Sequence, residues 1–158
     1  TETIELLLTK PINEFEIIFG KFLSCFIIIL VTLFPTIIYW LCIHYLSENG
    51  IDVGQIISGY LGLILISALF VSIGIFFSSI TTKQLIAFLL SFISILFLMQ
   101  GIELIQKMEV LRQLELFSII KRSESFNKGI IDLKDITFFI SFTIMFLLLA
   151  TEILKTRK

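Results

Sequence analysis

Asp52-VGQIISGYLGLILISALFVSIGIFFSSITT-Lys83 holds 30 consecutive residues without an Asp, Glu, Lys or Arg. As a helix that stretch is about 45 Å long, more than the ~30 Å hydrocarbon core of a bilayer requires. Working outward, the 26 residues between Lys21 and Glu48 are likewise uncharged, as are the 19 between Lys83 and Glu103 and the 16 between Asp135 and Glu152. The last of these is the shortest, about 24 Å as a helix, which puts Glu152 at an interface. Residues 22–43 alone contain 14 Leu, Ile, Phe or Val, which sums to roughly −4 to −8 kcal/mol for insertion. A strand barrel needs segments of about ten residues that alternate apolar and polar. Phe26-Ile-Ile-Ile-Leu-Val31 does not alternate, so the spans are helical.

Composition agrees. Of the 158 residues, 57% are hydrophobic and 16% charged, against about 25% charged in ordinary soluble domains. Mean hydropathy is +1.04. A water-soluble fold of this size cannot hide that much apolar surface. The net charge of −1 and pI of about 5.8 provide no basic field for nucleic acid. Cys25 and Cys42 fall 17 residues apart in one predicted helix, about 25 Å, too far for a disulfide, so both are apolar fillers. The opening, Thr1 to Lys10, lacks the pattern of a signal peptide. The expectation is a fragment without its N-terminal part.

The predicted organisation is all-α and integral to the membrane, with four transmembrane helices at about 20–46, 55–80, 84–102 and 136–153. An amphipathic segment, 1–21, precedes them: Ile4, Leu7 and Leu8 share one face, Pro11 stops or kinks the helix, and a second short turn runs through Phe15, Ile17 and Ile18. Pro35 kinks the first span, which ends in Tyr39, Trp40, His44 and Tyr45, rings suited to an interfacial belt. The turn Ser79-Ile-Thr-Thr-Lys83 joins the second and third spans as antiparallel neighbours. Residues 103–135 hold six basic and six acidic residues around Leu104, Met108, Leu111 and Leu114, spaced for an interfacial helical segment, with Gly129 and Asp132 at its exit turn. Each side of the membrane carries six Lys or Arg. Those near the termini hug the span ends, while those of the long loop are balanced by acids, which favours termini inside.

Three stretches carry a resemblance. Thr3-Ile-Glu-Leu-Leu-Leu-Thr-Lys-Pro11, with Gly20-Lys21 nine residues later, resembles the T-x-E-x-L-L-x-x-P segment and following G-K of type-2 ABC exporter permeases. Gly74-Ile-Phe-Phe-Ser-Ser-Ile-Thr-Thr-Lys-Gln-Leu-Ile-Ala87 and Phe126-Asn-Lys-Gly-Ile-Ile-Asp-Leu-Lys-Asp135 agree with the same family in order. The wording of Ile4 to Ile12 and Gly129 to Asp135 is most similar to the gliding-motility-associated branch. The resemblance implies a bacterial inner-membrane, multi-pass subunit whose four spans are the third to sixth of six, with both termini in the cytosol. It also implies two partners: an ABC ATP-binding subunit and a second permease subunit, identical or not. Membrane lipid surrounds them.

In such exporters the element before the third helix rests on the ATP-binding subunit, which implies coupling roles for Glu5, Leu6, Leu7, Thr9, Pro11, Glu14, Gly20 and Lys21. The residues alone fit equally an interfacial helix whose acids are merely solvated. The resemblance places Thr81, Lys83 and Gln84 in a second cytosolic turn and Gly129, Asp132 and Asp135 in an outer-face turn near the exit. The chain itself catalyses nothing in this reading and needs no cofactor. Gly20-Lys21 is not a phosphate loop, because Phe15 and Phe22 stand where that loop requires Gly and Ser or Thr. His44, at a span end among aromatics, has a structural role there, and with a single His no metal site is expected. Ser58, Gly59, Gly62, Ser67 and Ser72 either let helices pack closely or line a path. A multi-pass membrane scaffold or anchor without transport is the rival that composition also permits. A membrane-embedded enzyme is disfavoured, since no carboxylate, Lys or Arg falls inside a span.

Overall fold

The computed structural model describes residues 13–46, 52–101, 119 and 125–156. Residues 1–12 lie outside these, and with them Glu5, Leu6, Leu7, Thr9 and Pro11; so do residues 47–51 and most of the predicted interfacial segment 103–135. Every regular element among the described residues is helical.

The first, α1 (Glu14–Leu33), starts behind an extended Asn13 whose carbonyl accepts from the amides of Glu16 (2.9 Å) and Ile17 (3.4 Å). Glu14 and Glu16 set negative charge at the positive end of the helix dipole. Residues 14–19, expected in the surface preface, are thus continuous with the first span. A break at Phe34-Pro35 separates α1 from α2 (Thr36–Leu46). Pro35 has no N–H for the Val31 carbonyl, and the Phe34 amide covers that carbonyl at 3.3 Å while also reaching Leu30 at 3.2 Å. The Ile37 amide turns to Phe34, and the Leu33 carbonyl it leaves is taken by the Thr36 hydroxyl at 2.6 Å. Local repair of this kind makes a proline tolerable where no water can help.

Asp52 caps α3 (Val53–Ile80), its Oδ1 accepting from the amides of Gly54 (3.0 Å) and Gln55 (3.4 Å). A three-residue turn leads to α4 (Gln84–Leu96), which continues into a π-helical turn, Phe97–Gly101. The last helix, α5 (Leu133–Thr156), is started by Asp132, whose Oδ1 accepts from the Lys134 amide at 3.0 Å.

Three helical stretches are long and apolar enough to cross a membrane: Glu14–Leu46, Val53–Ile80 and Leu133–Thr156. The α-helical part of α4, with 13 residues, measures only about 20 Å. The predicted span 84–102 is thus an α-helix that loosens into a π turn, not one uninterrupted helix.

Helix α3 is the central post, and α5 packs along most of its length. Leu69 and Ile73 of α3 meet Phe139 of α5 together with Ile119 and Phe126 in one core cluster. Ile75 of α3, Leu147 and Ala150 of α5 and Ile18 of α1 form a second. Outside these, the large apolar side chains point outward: Leu85 is 73% exposed, Phe34 71%, Phe88 66% and Val31 64%. That distribution inverts the rule for soluble proteins and suits a hydrocarbon solvent.

Candidate functional site

The bundle has two ends, and the predicted site residues divide between them. One end gathers the start of α1, the α3–α4 turn and the end of α5. Ile18, one turn into α1, is 2% exposed because Ile75, Leu147 and Ala150 enclose it, with Phe22, Val71 and Leu154 around them. Glu14 stands close enough to Lys155 of α5 to act on it electrostatically, and Lys155 binds Glu152 at 2.7 Å. The pair is largely exposed, so solvent screens it and it adds little to stability. Thr81 ends α3, its amide and hydroxyl both bonding the Phe77 carbonyl (3.2 and 3.1 Å). Lys83 starts α4 through its carbonyl, which accepts from Ile86 and Ala87 at 3.1 Å each, and Gln84 is exposed beside it.

Gly20 and Lys21 lie deeper along α1. They face a cleft of about 650 Å³ whose other wall is Val71, Gly74, Ile75 and Ser78 of α3. The structure therefore separates them from Glu14, with which the sequence grouped them.

At the opposite end, Gly129, Asp132 and Asp135 come together through the turn into α5. Gly129 has φ +80°, a conformation that favours glycine, and a Cβ there would lie 3.4 Å from the Gln55 Cα. Asp132 caps α5, and Asp135 in its first turn is buried. Just before them Phe126, 1% exposed, sits on Gly62 of α3, where a Cβ would come within 2.9 Å of its ring. The Ser58 hydroxyl donates to the Phe126 carbonyl at 2.7 Å, and the Gln55 side chain to the Asn127 carbonyl at 2.6 Å. Two helix-borne donors thus tie α3 to the turn, where the Phe126 carbonyl also accepts from the Gly129 amide at 3.1 Å. Neither Gln55 nor Phe126's seat was foreseen; the small residues Ser58, Gly59 and Gly62 signalled close packing on α3 without saying what packs there.

This arrangement answers part of the question about the small residues of α3. Ser58, Gly62 and Ser72 face inward and pack, and the Ser72 hydroxyl is satisfied by the Leu69 carbonyl at 2.7 Å. Gly59 borders open space and Ser67 bonds back to Leu63 at 2.6 Å.

Near the kink, α1, α2 and α3 enclose an apolar groove of about 410 Å³ lined by Leu30, Phe34, Trp40 and Tyr60 among others. Tyr60 and Thr36 hydroxyls meet at 2.8 Å across it. His44 stacks obliquely near Trp40, ring centres 6.0 Å apart, at the end of α2. Cys25 and Cys42 are free and exposed. Among the described residues no three His, Cys, Asp or Glu converge as a metal site. The described surface offers apolar faces, two capped ends and two clefts that each hold one lysine, Lys21 beside α3 and Lys134 on α5.

No curated protein and no solved structure matches the chain. The family model described as ABC-2 family transporter protein matches it over residues 1–158, and with its apolar helical stretches the chain belongs to that family, a multi-pass membrane permease component of an ABC transporter, of a kind that normally works with an ATP-binding subunit.

Proposed function

We propose that this chain is the membrane-spanning permease subunit of an ABC exporter in a bacterial inner membrane, coupling ATP hydrolysis on a separate subunit to substrate translocation. Its setting, on the wording of residues 4–12 and 129–135, is gliding motility. The observation that carries the reading is the family match across the whole chain. The convergence of α1, the α3–α4 turn and the end of α5 at one end supports it, because a single partner surface can touch all three.

In this reading residues 1–21 form the coupling segment. Glu5, Glu14, Leu6, Leu7 and Thr9 meet the ATP-binding subunit, Pro11 sets the bend, and Gly20-Lys21 carries the element into the span. Thr81, Lys83 and Gln84 form the neighbouring cytosolic turn. α1 runs unbroken for 20 residues, about 30 Å, so a push at Glu14 reaches the break at Phe34-Pro35 as a rigid lever. α4 with its π turn is the third of the four spans. Its exposed face, including Leu85, Phe88 and Ile93, suits a second permease subunit, identical or not. Gly129, Asp132 and Asp135 hold the outer-face turn.

Co-purification from detergent of the full-length subunit with ATP-binding subunits encoded nearby tests the reading. Wild type should retain an ATPase partner and Glu5→Arg should lose most of it; no association even for wild type would leave a scaffold in place of an exporter.

A further inference from the structure

The cleft between α1 and α3 has one charged wall residue, Lys21, and no carboxylate among its lining. Lys21 is exposed, and its depth is informative. From Lys21 to Tyr39, which begins the aromatic belt at the far end, is 18 residues across the break at Phe34-Pro35, at most about 27 Å. That is close to the ~30 Å hydrocarbon thickness of a bilayer, which puts Lys21 near the interface opposite the aromatic belt, within reach of lipid head groups. Ser78, on the facing wall, is exposed beside it with its hydroxyl directed to no described partner. Ser24 has already given its proton to the Gly20 carbonyl at 2.8 Å.

The floor of the cleft is open. A Cβ at Gly20 or at Gly74 would meet nothing within 4 Å, so neither glycine is demanded by packing inside the chain. The remaining wall, with Val71 and Ile75, is apolar. The site thus combines one cation, one free hydroxyl and an apolar slot, and a bare phosphate would leave the slot empty.

We propose that this cleft binds an anionic glycerophospholipid of the surrounding leaflet, with the Lys21 ammonium and the Ser78 hydroxyl on its phosphate and the upper acyl chain against Val71 and Ile75. Basic pockets between membrane helices take such head groups, because a cation at the interface is attracted to anionic lipid while the helices shield the chains. The binding does not depend on transport or on an ATP-binding partner.

Native mass spectrometry of the full-length protein titrated with phosphatidylglycerol, phosphatidylcholine or glycerol 3-phosphate tests it. Phosphatidylglycerol should be retained about fivefold over phosphatidylcholine, the increment of a single interfacial lysine. Lys21→Gln should abolish that preference and Lys21→Arg should keep it. Gly74→Leu, which fills the slot without touching the cation, should reduce retention of phosphatidylglycerol, while an unchanged melting temperature shows that the variant still folds. Equal retention of the two lipids, an unchanged preference in Lys21→Gln, or full displacement of lipid by glycerol 3-phosphate would overturn the proposal. So would a Cys25–Cys25 cross-link between two copies in a Cys42→Ser background, which would put a second chain in the cleft.

Discussion

Gly62 has no room for a side chain, since the Phe126 ring already occupies the place of its Cβ. Gly62→Ala must push that ring or the helix aside, and overpacking of this kind costs about 1–3 kcal/mol. Gly59, three residues away, faces open space, so Gly59→Ala should leave stability unchanged or raise it slightly. Thermal unfolding of the two variants in the same detergent checks the contrast; equal melting points would mean that Phe126 does not sit on α3. Ser58→Ala removes one donor to the buried Phe126 carbonyl. The expected loss is about 0.5–1.5 kcal/mol, that of one hydrogen bond, because the Gly129 amide still donates to that carbonyl at 3.1 Å. In both cases the effect belongs to a side chain whose neighbour is more than 60 positions away in the chain.

Between α1 and α2 the decisive feature is the missing amide of Pro35, and between α2 and α3 it is the Thr36–Tyr60 pair. Thr36 donates to the Leu33 carbonyl, which makes Tyr60 the donor to Thr36. A double-mutant cycle of Thr36→Val and Tyr60→Phe should give a coupling of about 0.6 kcal/mol, and no more than about 1.7, the range found for hydrogen bonds between membrane helices. A coupling of zero would remove the bridge as a tie across the groove. Most hydroxyls of the long helices form no such ties. Those of Ser72, Thr143 and Thr151 all bond carbonyls one turn back in their own helix, which is how a hydroxyl is carried through hydrocarbon at little cost.

For the whole molecule, the placement of the two ends is the testable statement. Lys83 starts α4 at the end where Ile18 and Leu154 pack, while Asn127 is bonded to Gln55 near the start of α3 at the other. Single cysteines at 83 and at 128, in a background where Cys25 and Cys42 are replaced by Ser, should react with a membrane-impermeant thiol reagent from opposite faces. Both native cysteines are exposed and free, so their removal should cost little. Labelling of both positions from one side would mean that α3 does not cross. The broad exposed apolar surface of α1, α4 and α5 also implies that the protein aggregates when detergent is withdrawn.

The uncharged stretches from Phe22 to Ser47 and from Val53 to Thr82 were legible without any structure, and so were Asp52 and Asp132 as the polar ends of loops, though not as helix caps. Length against bilayer thickness is a local property of a chain. Pro35 as the break in the first span was legible for the same reason, because a missing N–H is written in the residue itself. The grouping of Gly20 and Lys21 with Glu14 was not refined by sequence, since an unbroken α1 puts them two turns away facing another helix. Gly62 under Phe126, Ser58 and Gln55 on the loop carbonyls, and Lys21 opposite Ser78 all depend on which face of α3 turns toward which neighbour. Helix α3 is apolar all the way round, so its sequence shows no preferred face, and only packing against α1 and α5 decides one.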